Sequence, residues 1–162
     1  ANGILNLTKV ENQSILTNVT EYNLSEQIRL TVLLLESKWT ARNINMNIDF
    51  GEYTINANEE MMKQVWINLL DNAIKFSPEG EEISIRISNK NEHIYVSISG
   101  KGPHIEDEEI NKIFRKFYQS DSSHSTEGTG IGLALVSRII ELHKGRIEVN
   151  SDKNINTFTV IL

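Results

Sequence analysis

The residues best able to do chemistry are Gly128-Thr-Gly-Ile-Gly-Leu-Ala-Leu135. Gly128, Gly130 and Gly132 stand at alternate positions and run directly into an apolar helical pattern from Ile131 to Leu142. The first N–H groups of a helix lack partners within it and carry partial positive charge. Glycine lets an anion reach that backbone with no Cβ in the way. The stretch can therefore cradle a phosphate. It can equally be a glycine hinge that only starts a helix, and other residues must decide between the two.

A second group is Gln64, Asn68, Asn72 and Lys75, spaced 4, 4 and 3 apart. They form one face of a helix whose other face carries Met62, Trp66, Leu69 and Ala73. A polar stripe of this kind is ordinarily just solvated. However, solvent faces favour Glu and Lys, and Asn within a helix costs several tenths of a kcal/mol. Two carboxamides one turn apart aim their oxygens at one spot. Hard oxygen donors suit Mg²⁺, which takes few protein ligands alongside phosphate and water.

These groups must be positioned by a small domain. The 162 residues fit one domain with a short appendage, and 39% hydrophobic residues can bury an ordinary core. A net charge of −6 argues against non-specific nucleic-acid binding. The absence of cysteine removes disulfides, thiolate metal sites and a cysteine nucleophile. No run approaches the roughly 20 apolar residues that span a bilayer, and no signal peptide is visible. The fragment is expected to be soluble and cytoplasmic, whatever the topology of a longer parent.

In chain order, residues 1–17 carry Ile4, Leu5, Leu7 and Val10 among polar residues, as the end of a longer helix and a linker would. The fold proper is expected over 18–162. Asn18 to Tyr22 is a short strand. Ser25 is the expected cap of a helix running to Trp39. Asn45 to Phe50 and Thr54 to Ala57 are strands. Asn58 caps the carboxamide helix, which runs to about Phe76 and stops at Ser77-Pro-Glu-Gly80. Ile83, Ile85 and Ile87 alternate with polar residues, as do Ile94, Val96 and Ile98, giving a hairpin. Gly100-Lys-Gly-Pro-His-Ile105 is a glycine-bearing turn. Glu106 to Glu109 load the first turn of a helix reaching Phe117. Tyr118 to Glu127 lacks apolar periodicity and reads as a loop over the site. His143-Lys144-Gly145 ends the last helix with cations and a glycine, and two strands close the chain.

Asn68-Leu-Leu-Asp-Asn-Ala-Ile-Lys-Phe-Ser-Pro78, Ile113-Phe-Arg-Lys-Phe-Tyr118 and the Gly128–Leu135 stretch, in this order and spacing, resemble the catalytic ATP-binding domain of sensor histidine kinases. That domain belongs to the Bergerat-fold superfamily, with type II topoisomerases and mismatch-repair ATPases. The start, Ile4 to Glu11, resembles the end of the dimerisation and phosphotransfer domain. The resemblance implies an α/β sandwich, a mixed sheet with about three helices on one face. ATP would lie between the asparagine helix and a lid. Asn72 would bind Mg²⁺, with Asn68 beside it, and Lys75 would approach the phosphates. Phe76 would lie against adenine, with Gly100, Gly102, Ile105, Leu133 and Thr157 also lining the nucleotide site. Gly128, Thr129, Gly130 and Gly132 would hold the phosphate tail. Phe114 and Phe117 would anchor the lid. Implied partners are the chain's own dimerisation and phosphotransfer domain and a response regulator. The parent would be a homodimeric membrane sensor.

ATPase relatives carry a glutamate one turn before the magnesium asparagine. Here that residue is Asn68, which cannot act as a general base, so a protein histidine rather than water is the expected acceptor. His93, His104, His124 and His143 all lack the helical His-Glu or His-Asp context of such an acceptor. The fragment should therefore bind nucleotide without phosphorylating itself.

Departures from the family pattern bear on affinity. Gly100 replaces the family's adenine-reading aspartate, and His104 replaces its second glycine. Losing a charged acceptor costs about 1.5–3 kcal/mol, roughly ten- to hundredfold, and an imidazole in the turn should clash or reshape it. Gln119 and His124 stand where lid arginines are common, and Asn154-Ile-Asn156 replaces a closing Gly-x-Gly. The expected function is a histidine kinase domain with weakened ATP binding. The alternatives are a non-binding scaffold and a related serine-kinase or ATPase module.

Overall fold

A computed structural model describes residues 15–115 and 132–162. Residues 1–14 of the expected upstream helix, the expected loop over residues 118–127, Phe117, Gly128, Thr129 and Gly130 lie outside the described residues.

Period-two alternation sends one row of each strand inward. In β4 (Glu82–Lys90), Ile83, Ile85 and Ile87 are buried while Glu82, Arg86 and Ser88 are exposed. Its partner β5 (His93–Lys101) buries Val96 and Ile98 in register with Ile87 and Ile85. Next come β7 (Ile155–Ile161), antiparallel to β5, and β6 (Arg146–Asp152), antiparallel to β7. At the other edge β2 (Asn45–Ile48) runs parallel to β4. The sheet is thus mixed, in the order β2-β4-β5-β7-β6. β1 (Val19–Asn23) and β3 (Thr54–Asn58) form a separate two-stranded sheet. The hairpin turns use Asn91–Glu92 (φ 53° and 65°) and Lys153–Asn154 (φ 53° and 64°). Paired left-handed residues match the twist of tight hairpins, so the second turn needs no glycine.

The helices are α1 (Leu24–Leu34), α2 (Glu36–Ala41), α3 (Glu59–Phe76), α4 (Asp107–Ile110) and α5 (Gly132–Leu142). Their buried residues share one core with the inward isoleucines of the sheet. The expected helix to Trp39 is broken at Leu35. Its cap is Asn23, whose Oδ1 accepts the Glu26 N–H at 2.9 Å, and not Ser25. The Ser25 hydroxyl is buried and donates to the Gly51 carbonyl at 2.7 Å. α4 is a single turn, with only turn structure from Asn111 to Phe114.

α3 carries the carboxamides, and its anchoring is tight. Trp66 is fully buried, and its indole N–H donates to Gln27 Oε1 at 2.9 Å. At the start, Asn58 Oδ1 accepts the Met61 N–H at 2.9 Å, as expected of the cap. The Asn58 backbone N–H donates to His143 Nε2 at 3.1 Å. Because that nitrogen accepts, the proton sits on Nδ1 and is donated to the Ile139 carbonyl at 2.8 Å. His143 is therefore structural and neutral, tying the end of α5 to the start of α3.

Burial pushes the His143 pKa below the usual imidazole value, against a smaller raising effect from the Ile139 carbonyl. The unfolded chain takes up its proton near pH 6.5, so below that pH the unfolded state binds more protons. This contribution to stability is complete above about pH 6.5 and is lost as pH falls toward the lower folded pKa. The unfolding midpoint is expected to drop from pH 7 to pH 5, with His143 contributing at most about 1.4 kcal/mol per pH unit. His143→Gln should flatten that slope, and an unchanged slope would remove His143 as its source.

Candidate functional site

Asn68 lies in the middle of α3. Its Nδ2 donates to the Gln64 carbonyl at 2.7 Å, a bond back to the preceding turn. That bond orients Oδ1 outward, against the start of α5. A Cβ added to Gly132 would stand 2.6 Å from Asn68 Oδ1. The first turn of α5, with its unpaired N–H groups, is thus seated on the carboxamide of α3. Gln64 is buried and Asn68 half-buried, so the N-terminal part of this face is covered. Asn72 follows one turn later on the same face, half-buried, and the half-buried Lys75 and Phe76 end the helix.

Phe76 meets the glycine turn. A Cβ on Gly102 would lie 3.5 Å from the Phe76 carbonyl and 3.7 Å from Phe76 Cβ. Gly100 is the inward residue of β5 beside Ile83 and Asn156. A Cβ there would meet Ile83 Cγ1 at 3.3 Å. Ile105 and Leu133 are half-buried against the core. Phe114 packs edge-on to Phe158, with centroids 6.4 Å apart.

Thr157 needs correcting. Phe158 and Val160 point into the core, so alternation turns Thr157 to the outer face of the sheet. There its hydroxyl pairs with that of Ser99. The inward polar residue is Asn156, in register with Gly100 on one side and Ser151 on the other. Ser151 is not among the candidates that the sequence motifs offer, and Asn156 enters there only as a departure from a Gly-x-Gly. The available signal was phase: Ser151 continues the inward row of Ile147 and Val149, and Asn156 that of Phe158 and Val160.

His104 does not stand across the site. Asn156 Nδ2 donates to the Pro103 carbonyl at 2.9 Å, so its Oδ1 accepts the Ser151 hydroxyl at 2.6 Å. The Ser151 Oγ then accepts the Ile105 N–H at 3.0 Å and the His104 Nδ1–H at 3.1 Å. His104 Nε2 faces Glu106 at 3.7 Å. The Gly102 N–H donates to the Asn154 carbonyl at 2.9 Å. The departures from the family pattern therefore form a clasp that fastens the 102–105 turn to the β6–β7 hairpin.

No metal-binding group of three or more His, Cys, Asp or Glu side chains occurs among the described residues. The donors present are carboxamides, which fit a magnesium ion completed by phosphate and water. Among the described residues, no helix is long and apolar enough to cross a membrane.

A family model described as histidine kinase-, DNA gyrase B-, and HSP90-like ATPase matches residues 57–162. The sensor histidine kinase CusS of Escherichia coli O6:H1 is 29% identical over 161 residues, covering 98% of this chain and 34% of CusS. The adaptive-response sensory kinase SasA of Prochlorococcus marinus is 39% identical over 140 residues, covering 84% of this chain and 37% of SasA. This chain thus spans about a third of the length of these relatives. The catalytic domain of histidine kinase ThkA superposes with a TM-score of 0.82 at 32% identity, covering 90% of this chain and 95% of that one. ThkA has also been solved in complex with the response regulator protein TrrA; that ThkA chain gives a TM-score of 0.77 at 30% identity, with 89% of this chain and 41% of that chain covered. The chain belongs to the histidine kinase-, DNA gyrase B- and HSP90-like ATPases, and its fold is that of a histidine kinase catalytic domain.

Proposed function

We propose that this chain is the ATP-binding part of a sensor histidine kinase and presents the γ-phosphoryl group of ATP to a histidine on a separate dimerisation and phosphotransfer domain. The observation that carries this reading is the seat of Gly132 on Asn68, which brings the carboxamide helix against the glycine-led helix. Asn72, with Asn68 beside it, would hold Mg²⁺. That ion, when bound, neutralises charge on the phosphate oxygens. Lys75 adds a positive charge at the end of the same face. Gly128, Thr129 and Gly130, which lie outside the described residues, would with Gly132 offer backbone N–H groups to the phosphate tail, with Leu133 beside them. Phe76, Gly102 and Ile105 line the base side. Asn68 has no proton-accepting carboxylate, so water is not activated and the phosphoryl group is held for an incoming imidazole. Phosphoryl transfer of this kind needs positioning and charge stabilisation more than covalent help. The parent would be a homodimer that passes the phosphoryl group to a response regulator.

A second reading is a scaffold that has lost nucleotide. Gly100 and the His104–Ser151–Asn156 clasp favour it, because they replace a charged base reader with a fastened turn. Calorimetry of the chain with a non-hydrolysable ATP analogue and Mg²⁺ separates the two. The expected result is binding weaker than micromolar that Asn72→Ala abolishes without shifting the melting temperature. Labelled ATP should leave no phosphate on the chain itself. Micromolar binding would refute the weakened site, and binding that survives Asn72→Ala would remove the metal assignment. No heat even in a Gly100→Asp variant would establish the scaffold reading.

A further inference from the structure

The inward face of the sheet changes character at one level. Ile83 of β4, Gly100 of β5, Asn156 of β7 and Ser151 of β6 stand in register there. Gly100 brings no side chain, so the polar group adjoining it on this row is the Asn156 carboxamide. Asn156 Nδ2 stands 3.1 Å from the point where a Cβ on Gly102 would lie, and the Phe76 carbonyl 3.5 Å from the same point. The amide thus reaches the place where the end of α3 meets the glycine turn.

Its orientation is fixed. The Pro103 carbonyl can only accept, so the group that meets it at 2.9 Å is Nδ2. Oδ1 takes the Ser151 hydroxyl at 2.6 Å. That hydroxyl is held in turn, because Ser151 Oγ accepts the Ile105 N–H at 3.0 Å and the His104 Nδ1–H at 3.1 Å. Among the described residues, Asn156 is left with one uncommitted N–H. The row therefore offers a donor and no charged acceptor.

Purines differ in what they present to such a donor. Adenine carries an amino donor at position 6, where guanine carries an oxo acceptor. Hypoxanthine, the base of ITP, carries the same oxo group without guanine's further amino group. An N–H set against the amino group is mismatched, and set against the oxo group it makes a hydrogen bond. We infer that Asn156 sets the base preference of this site and turns it toward a 6-oxo purine triphosphate over ATP. The inference rests on the nucleotide reading above, in which Phe76 and Gly102 line the base side.

Calorimetric titration of the full chain with Mg²⁺ and the non-hydrolysable analogues of ATP and ITP tests it. The ITP analogue is expected to bind about fivefold more tightly, the worth of one neutral hydrogen bond. Asn156→Asp puts a charged acceptor at the same place and should reverse the order. Asn156→Ala should make the two affinities equal. The readout is the ratio between bases, so a turn loosened by either change does not disguise it. A thermal melt shows whether each variant is folded, and one folded variant suffices. ATP binding as tightly as ITP, or more tightly, in the unaltered chain would overturn the inference and leave the nucleotide reading standing. So would an ITP preference that persists in folded Asn156→Ala. No heat with either analogue would remove both.

Discussion

Gly132→Ala is expected to lower affinity for Mg²⁺-ATP at least tenfold while leaving the melting temperature nearly unchanged. Alanine is a better helix former than glycine, by about 1 kcal/mol in a helix interior and by less at the first position, where Gly132 stands, so a glycine with no special task would give a protein no less stable. Here the new Cβ would stand 2.6 Å from Asn68 Oδ1. The obstructing atom is the end of a side chain, so the relief is rotation of Asn68 rather than a shift of backbone. Rotation breaks the Asn68–Gln64 bond, a loss of about 0.5–1.5 kcal/mol that the smaller helix gain at this first position partly offsets. The damage therefore falls on the site: a carboxamide is driven from the spot where metal and phosphate would meet. Calorimetric titration beside a thermal melt reads both quantities. Since the two residues touch, their effects should not add. In an Asn68→Ala background the same glycine change should cost little further affinity. An equal loss in both backgrounds would show that Gly132 acts by another route.

The chain announces the layout of this fold through its periodicities. Ile83, Ile85 and Ile87 are spaced as a half-buried strand and form one. Asn58 stands before an apolar helical pattern and caps it. The misreadings arise where a residue's partner is distant in sequence. Ser25 has the chemistry of a cap, but its hydroxyl is taken by Gly51 and Tyr53, and Asn23 does the local work. Lys144, not Gly145, adopts the left-handed conformation after α5 (φ 59°). Gly145 is glycine because the Ile161 carbonyl of β7 lies where its Cβ would stand. No local pattern reveals that approach. The candidate site follows the same division. Gln64, Asn68, Asn72 and Lys75 share one face in the sequence pattern and on α3 because helical spacing sets it, whereas Phe76 enters only through the family resemblance. Asn156 and Ser151 were not legible, because their role appears only once two strands are laid side by side with Gly100.

Gly100→Asp combined with His104→Gly is expected to raise affinity for Mg²⁺-ATP about ten- to hundredfold, and not to raise affinity for the guanine nucleotide. Residue 100 is inward on β5, and a Cβ there meets Ile83 Cγ1 at 3.3 Å and the Glu82 carbonyl oxygen at 3.8 Å, so the buried Ile83 must shift by a few tenths of an ångström to admit it. The new carboxylate would stand cross-strand from Asn156, about 5 Å between Cβ atoms. The Asn156 amide has a second N–H beyond the one given to Pro103, which offsets part of the cost of burying the charge. His104→Gly removes the imidazole from Ser151 but leaves the Ser151–Asn156 and Ile105–Ser151 bonds in place. The turn should therefore loosen without coming free. A charged acceptor for an amino hydrogen contributes about 1.5–3 kcal/mol, which sets the expected gain. Adenine offers that amino group. Guanine presents a carbonyl oxygen on the same edge, which a carboxylate repels. Parallel titrations with the two triphosphate analogues therefore carry the argument. A gain for ATP alone places the base beside residue 100. Equal gains for both nucleotides would mean that the carboxylate acts through the fold or the metal, and the base would then have to lie elsewhere along α3.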